Sequence, residues 1–119
     1  MKLNTQENQG VDIVSIEGSI DALTAGEVQQ YFTDLIGKGV NRVIINLDQV
    51  DFMSSAGLRV IMAASKGVRQ QGGDLRLAAA QPGVEKMLKI SGFTSILKSF
   101  SSVDEALSSF VNGASQSDG

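Results

Sequence analysis

The chain has 119 residues, a formal net charge of −3, 42% hydrophobic residues, and neither cysteine nor histidine. That length fits one domain, and the missing thiols and imidazoles exclude disulfides, thiolate chemistry, a Ser-His-Asp hydrolase and a phosphohistidine carrier. No Lys/Arg cluster suits a nucleic-acid backbone, no apolar run approaches the ~20 residues that cross a bilayer, and the first residues lack a signal-peptide core, so the expectation is a cytoplasmic domain without metal, cofactor, nucleic-acid or membrane partner.

Leu3 to Gln6 reads as a short first strand and Val11 to Glu17 as a second, with Ile13, Val14 and Ile16 apolar. The connection Glu7-Asn8-Gln9-Gly10 suits a hairpin, so the two strands are expected to be antiparallel. Gly18-Ser19-Ile20-Asp21 follows as a loop, and Thr24 with Glu27 forms a capping box for the first helix. Val28, Tyr31, Phe32, Leu35 and Ile36 make that helix's apolar stripe, and Gly37 and Gly39 are its stop signals.

Val43-Ile44-Ile45 with Leu47 is a near-continuous apolar run, the pattern of a strand covered on both faces in a parallel sheet. Asp48 to Met53 reads as a loop. From Leu58 apolar residues recur at Ile61, Met62 and Val68, which predicts a helix from Gly57 to about Gln71. Gly72-Gly73 breaks the chain before a strand at Asp74 to Ala79. Pro82 fits the first turn of a third helix, whose inner face is Val84, Met87, Leu88 and Ser91, with Gly92 ending it. Ile96 to Phe100 is a last short strand. Ser102 and Glu105 form a second capping box for a final helix with Val103, Ala106, Leu107, Phe110 and Val111 as its stripe. Residues 112–119 are small and polar and are expected to fray, leaving residues 1–111 as the domain.

The residues that carry chemistry lie where the buried strand hands over to the second helix, at Ser54-Ser55-Ala56-Gly57. Serine is a good N-cap, so Ser54 or Ser55 can simply close the helix start. One of them can also accept a phosphoryl group, because free N–H groups and the helix dipole both favour an anion there. The two roles are compatible. Asp21 beside the first helix likewise has a local role, bonding backbone N–H groups, and a possible role toward a partner.

Asp51-Phe52-Met53-Ser54-Ser55-Ala56-Gly57-Leu58 resembles the signature of the bacterial anti-sigma-factor antagonists, members of the sulphate-transporter-and-anti-sigma-antagonist (STAS) domain family. The family's usual form is an apolar pair followed by Asp-Ser-Ser-Gly-Leu or Asp-Ser-Thr-Gly-Leu. Ser54 falls where the family usually has Asp, Ser55 falls on the phosphorylated Ser, and Gly57-Leu58 falls on Gly-Leu. Gly18-Ser19-Ile20-Asp21 is similar to the family's Gly-x-Leu-Asp, and Gly92-Phe93 extends the likeness. The resemblance implies a single α/β STAS-like domain, a mixed sheet of four to five strands with about four helices packed against it. It also implies a binding module and no enzyme. The unphosphorylated form would bind an anti-sigma factor with serine-kinase activity and free a sigma factor. Phosphorylation on Ser55, or on Ser54, would end binding, and a serine/threonine phosphatase would restore it. The implied partner-binding residues are Gly18, Asp21, Ser54, Ser55, Gly57 and Leu58.

Two other readings stand beside it. Ser54 in place of Asp favours a non-phosphorylated STAS subunit of a lipid-transport or stress-signalling complex. A phosphoryl-receiving aspartate domain would use Asp48 or Asp51 with an acidic partner holding Mg²⁺, and Asp21 is the only acidic residue near the preceding turn.

Overall fold

The computed structural model describes residues 1–118, with side chains described through Val111. The expected fraying of 112–119 falls outside those described side chains. Five strands pair in the order β1-β2-β3-β4-β5. They are β1 (Lys2–Asn8), β2 (Val11–Ile20), β3 (Arg42–Met53), β4 (Asp74–Ala78) and β5 (Ser99–Phe100). β1 and β2 are antiparallel, and every later pair is parallel. Four helices connect and cover them: α1 (Ala25–Gly37), α2 (Ser55–Gln70), α3 (Pro82–Ile90) and α4 (Val103–Asp118). This is the expected mixed-sheet α/β domain. No helix among the described residues is long and apolar enough to cross a membrane.

The β-branched run of β3 explains the layering. Val43 and Ile45 face one side of the sheet and pack with Val28 and Phe32 of α1, Leu58, Ile61 and Val68 of α2, and Val84 and Leu88 of α3. Ile44 faces the other side and packs with Val11, Ala78 and the α4 residues Ala106, Leu107 and Phe110. Both faces of β3 are therefore dry, and Ile44 and Ile45 have no accessible surface. Burying each such side chain contributes about 1.5–3 kcal/mol. A cluster of polar contacts ties α4 to the sheet. Arg76 of β4 lies 3.9 Å over the Phe110 ring, donates to Ser109 Oγ at 2.6 Å and pairs with Asp74 at 3.0 Å. Arg69 of α2 meets the same Asp74 at 3.2 Å and donates to the Ile96 carbonyl at 2.7 Å.

Several boundaries differ from the sequence reading. The hairpin loop is two residues, Gln9 and Gly10, because Asn8 pairs with Val11. Both have positive φ, 56° and 80°, the mirror-image turn that matches the twist of the flanking strands. The segment read as a loop, Asp48 to Met53, is the second half of β3, and Gly18 to Ile20 is the end of β2 paired against it. The pattern was hidden by two bulges. Between Ser15 and Glu17, and between Gly18 and Ser19, β3 carries one extra residue, so its buried positions run Leu47, Val50, Met53 instead of alternating.

Thr24 does not cap α1 with its side chain; its hydroxyl is taken by the preceding turn. Helix α2 begins two residues earlier than expected, at Ser55, because Ser54 is the cap. Ser91 is exposed and bonds the Leu88 carbonyl, so it belongs to the end of α3 and not to its inner face. The last strand shrinks to Ser99–Phe100, since Phe93–Ser95 forms a 3-10 turn stabilised by Gly92 at φ 80°. The second capping box holds: the Glu105 N–H donates to Ser102 Oγ at 3.1 Å.

Candidate functional site

The long β2–β3 ribbon overhangs β4, whose pairing with β3 ends at Asn46–Ala78. The candidate residues sit at the free end of that overhang. Its geometry follows from three local devices.

The first device is the junction of β3 with α2. The Ser54 N–H donates to the Ile20 carbonyl at 2.9 Å, which pins the junction to the end of β2. Ser54 itself is extended, at φ −93° and ψ 175°, and its Oγ accepts from the Gly57 N–H at 3.3 Å. The capping role therefore belongs to Ser54. Ser55 is the first helical residue, exposed, with no hydrogen-bond partner for its hydroxyl among the described residues. The first turn of α2 holds no acidic side chain to offset the positive end of the dipole. Gly57 is buried because the helix start lies against β2. A Cβ there would stand 2.7 Å from both the Ile20 Cγ2 and the Ile20 carbonyl, and 3.1 Å from Met53 Cγ. Leu58 is 2% exposed and anchors the same turn in the core. Gly57 and Leu58 therefore position the serines from beneath and offer no surface to a partner.

The second device is the turn into α1. One carboxylate oxygen of Asp21 accepts from the Leu23 N–H at 2.9 Å and the Thr24 N–H at 3.2 Å. The Thr24 hydroxyl donates to the Ser19 carbonyl at 2.7 Å and accepts from the Asp21 N–H at 3.0 Å. Asp21 thus does the local work considered from its position. The turn holds Leu23 out in solvent at 93% exposure.

The third device is the bulged end of the ribbon. Gly18 has φ +123°, a conformation that a side chain opposes, and lies at the second bulge. Beyond it, Ser19 Oγ donates to Asp51 Oδ1 at 2.8 Å, and Ser19 pairs with Phe52, which is 54% exposed. Leu23, Phe52 and the Ser19–Asp51 bond were not singled out in the sequence. Phe52 had a signal: it adjoins the core residue Met53, and neighbours in a strand face opposite ways.

Asp21, Asp48 and Asp51 do not converge. No group of three metal-ligating side chains occurs among the described residues, and the Asp51 carboxylate is engaged by Ser19. The aspartate-receiver reading loses its acidic cluster.

A mixed-sheet α/β domain with its distinctive residues at one strand-to-helix junction defines a class, and comparison with known proteins gives the family. Residues 2–106 match the STAS domain, and the chain belongs to that family. It is 34% identical over 110 residues to BtrV of Bordetella bronchiseptica, a protein named as a candidate anti-sigma factor antagonist, covering 92% of this chain and 95% of that one. Among solved structures, it resembles a candidate anti-sigma factor antagonist of Thermotoga maritima, with TM-score 0.84 and 23% identity, over 88% of this chain and 91% of that one. The anti-sigma factor antagonist SpoIIAA in its unphosphorylated form superposes with TM-score 0.77 at 18% identity, over 94% and 97% of the two chains. The phosphorylated form of SpoIIAA from Bacillus gives 0.68 at 17% identity, over 89% and 96%. The relatives are thus regulators of sigma factors by name, and the likeness to the solved structures is one of fold.

Proposed function

We propose that the protein is an anti-sigma-factor antagonist working by partner switching. Its unphosphorylated form binds an anti-sigma factor that is also a serine kinase, and so releases a sigma factor. The kinase phosphorylates Ser55, which ends binding, and a serine/threonine phosphatase reverses the step. The protein itself catalyses nothing.

The observation that carries this reading is the division of labour between the two serines. Ser54 is occupied as the helix cap, while Ser55 is exposed and its hydroxyl is unengaged among the described residues. A phosphate on Ser55 would sit at a helix N-terminus, where N–H groups and the dipole favour it. The names of the relatives, one solved in both an unphosphorylated and a phosphorylated form, support the same reading. A phosphate adds about −1.5 to −2 charge on a surface that must pack against the partner. Tenfold weaker binding requires only ~1.4 kcal/mol, so a modest mismatch is enough. Asp21 serves the interface by holding the adjacent turn.

The test is labelling by the cognate kinase followed by phosphopeptide mapping. Ser55→Ala is expected to abolish labelling and Ser54→Ala to retain most of it. Phosphate mapped to Ser54 would overturn the assignment. Failure of any serine to retain phosphate would favour the non-phosphorylated STAS subunit of a transport or stress complex, the reading that Ser54 in place of Asp supports.

A further inference from the structure

Helix α2 carries a stripe of exposed residues along its outer side: Ser55, Arg59, Ala63 and Lys66. Steps of four, four and three keep them on one face of the helix. Ser55 and Arg59 are therefore neighbours, about 5–6 Å apart at Cβ. Arg59 makes no ion pair or hydrogen bond among the described residues, whereas Arg69 and Arg76 are both tied to Asp74. No other lysine or arginine occurs from residue 43 to residue 65. At the helix start the Gly57 and Leu58 N–H groups are spent on Ser54, while those of Ser55 and Ala56 have no partner among the described residues. The elements around this start carry mostly carboxylates. The ends of β2 and β3 and the turn after β2 hold Glu17, Asp48, Asp51 and Asp21, with Lys2 opposite Glu17 across the hairpin. Helix α1 adds Glu27 and Asp34, and the Asp74–Arg76 pair of β4 lies by Arg69, near the other end of α2.

We infer that Arg59 is the built-in receiver of the Ser55 phosphate, its guanidinium reaching back one helical turn to pair with two phosphate oxygens. This rests on Ser55 being the phosphoacceptor, as proposed above, and adds the side chain that holds the phosphate. The order is the favourable one, with the anion four residues N-terminal to the cation. The planar fork of arginine matches two phosphate oxygens at once, which a lysine ammonium cannot do. The pair has a regulatory consequence. A neighbouring cation favours the dianion over the monoanion, so the phosphate keeps its full charge as pH falls toward its ordinary second pKa of about 6. The modified state then stays fully charged below neutral pH. Because Arg59 is present in both states, the surface still gains the whole phosphate charge on modification. The pair also fixes that charge against α2, at the position where Ser55 would face the partner.

The experiment is a phosphorus NMR pH titration of the full chain carrying phosphoserine at position 55, installed during translation so that no kinase is needed. The second pKa of the phosphate is expected to lie about 0.3–1 unit lower in the parent than in Arg59→Gln. Arg59→Lys keeps the charge without the fork and should fall between the two. Lys66→Gln should titrate as the parent does, since Lys66 shares the stripe but lies about 16 Å along the helix axis, beyond the Debye length. Arg59 is exposed and unbonded among the described residues, so its variants should melt with the parent, and the titration reads ionisation independently of stability. A phosphate pKa left unchanged by Arg59→Gln overturns this inference and leaves the partner-switching reading standing. Kinase labelling that maps to a residue other than Ser55 overturns that reading of the site, and this inference falls with it.

Discussion

Ser54 and Ser55 adjoin in the chain yet do different physical work, and that difference is measurable. Ser54→Ala removes the oxygen that accepts from the Gly57 N–H. At 3.3 Å that bond is long, so the loss should lie near the lower end of the usual cap range, about 0.5–1 kcal/mol. Thermal unfolding should show a drop of a few degrees. Ser55→Ala removes an exposed hydroxyl and should leave stability within about 0.5 kcal/mol of the parent. Gly57 gives the larger effect. Adding a methyl group places it 2.7 Å from Ile20 on both backbone and side chain, so α2 must lift from β2. Gly57→Ala is expected to lower stability by about 1–3 kcal/mol, read by urea denaturation, although alanine is the better helix former. A more stable variant would show that the close approach of α2 to β2 is not required.

At the scale of elements, the β1–β2 hairpin contains a built-in conflict. Glu7 and Asp12 stand directly opposite each other, and like charges in that position oppose pairing. Partial burial, and then the nearby Glu7 carboxylate, raise the Asp12 carboxyl above the ordinary aspartate range. A carboxyl raised in the folded state costs stability at neutral pH, and that cost disappears as pH falls through its folded value. Glu7→Gln should therefore stabilise the protein by a few tenths of a kcal/mol at pH 7, and the gain should vanish in acid. Thermal melts of both proteins at several pH values decide it. The turn offers a second check. Gln9 sits at φ 56°, a region that asparagine tolerates better, so Gln9→Asn should raise the melting temperature by a few degrees.

Across the whole molecule, Asp74 acts in the opposite sense to Asp12. Burial alone would raise its carboxyl, but hydrogen bonds from Arg76 and Arg69 outweigh that and hold it below the ordinary range. A depressed carboxyl contributes stability above its unfolded value of 3.8 and loses it as pH falls through the lower, folded value. Because the Asp74 cluster joins α2, β4 and α4, Asp74→Asn should destabilise the domain at pH 7 and flatten its loss of stability below pH 3.8. The proposed phosphorylation switch belongs to this scale too. Phosphate at the α2 N-terminus favours that helix by a few tenths to about 1 kcal/mol, so it should not unfold the domain. Phosphoserine at 55 and Ser55→Asp should both leave the melting temperature within a few degrees of the parent. Affinity for the kinase partner should fall at least about tenfold, a change of ~1.4 kcal/mol, with aspartate the weaker mimic. A sharp drop in melting temperature, or broadened amide signals along α2, would mean that the switch works by disordering the helix.

Periodicity and turn chemistry in the sequence determined the number and type of elements, the hairpin, the parallel core strand and the place of the two serines. Those features are local: the β-branched run at Val43–Ile45, the glycines at helix ends and the Ser102–Glu105 cap are each set by near neighbours. The second half of β3 was not legible, because bulges against β2 replace alternation with a spacing of three, and a bulge exists only once two strands meet. The same holds for the site. Which serine caps α2 and why Gly57 admits no side chain depend on Ile20, a residue far away in the chain on another element, whereas the bonds from the Leu23 and Thr24 N–H groups to Asp21 are local. The exposure of Leu23 and Phe52 is likewise a property of the assembled ribbon end. An apolar residue in the sequence carries no mark of being left outside the core, since burial is settled by what packs over it, and here Leu23 is left in solvent and Phe52 only half covered.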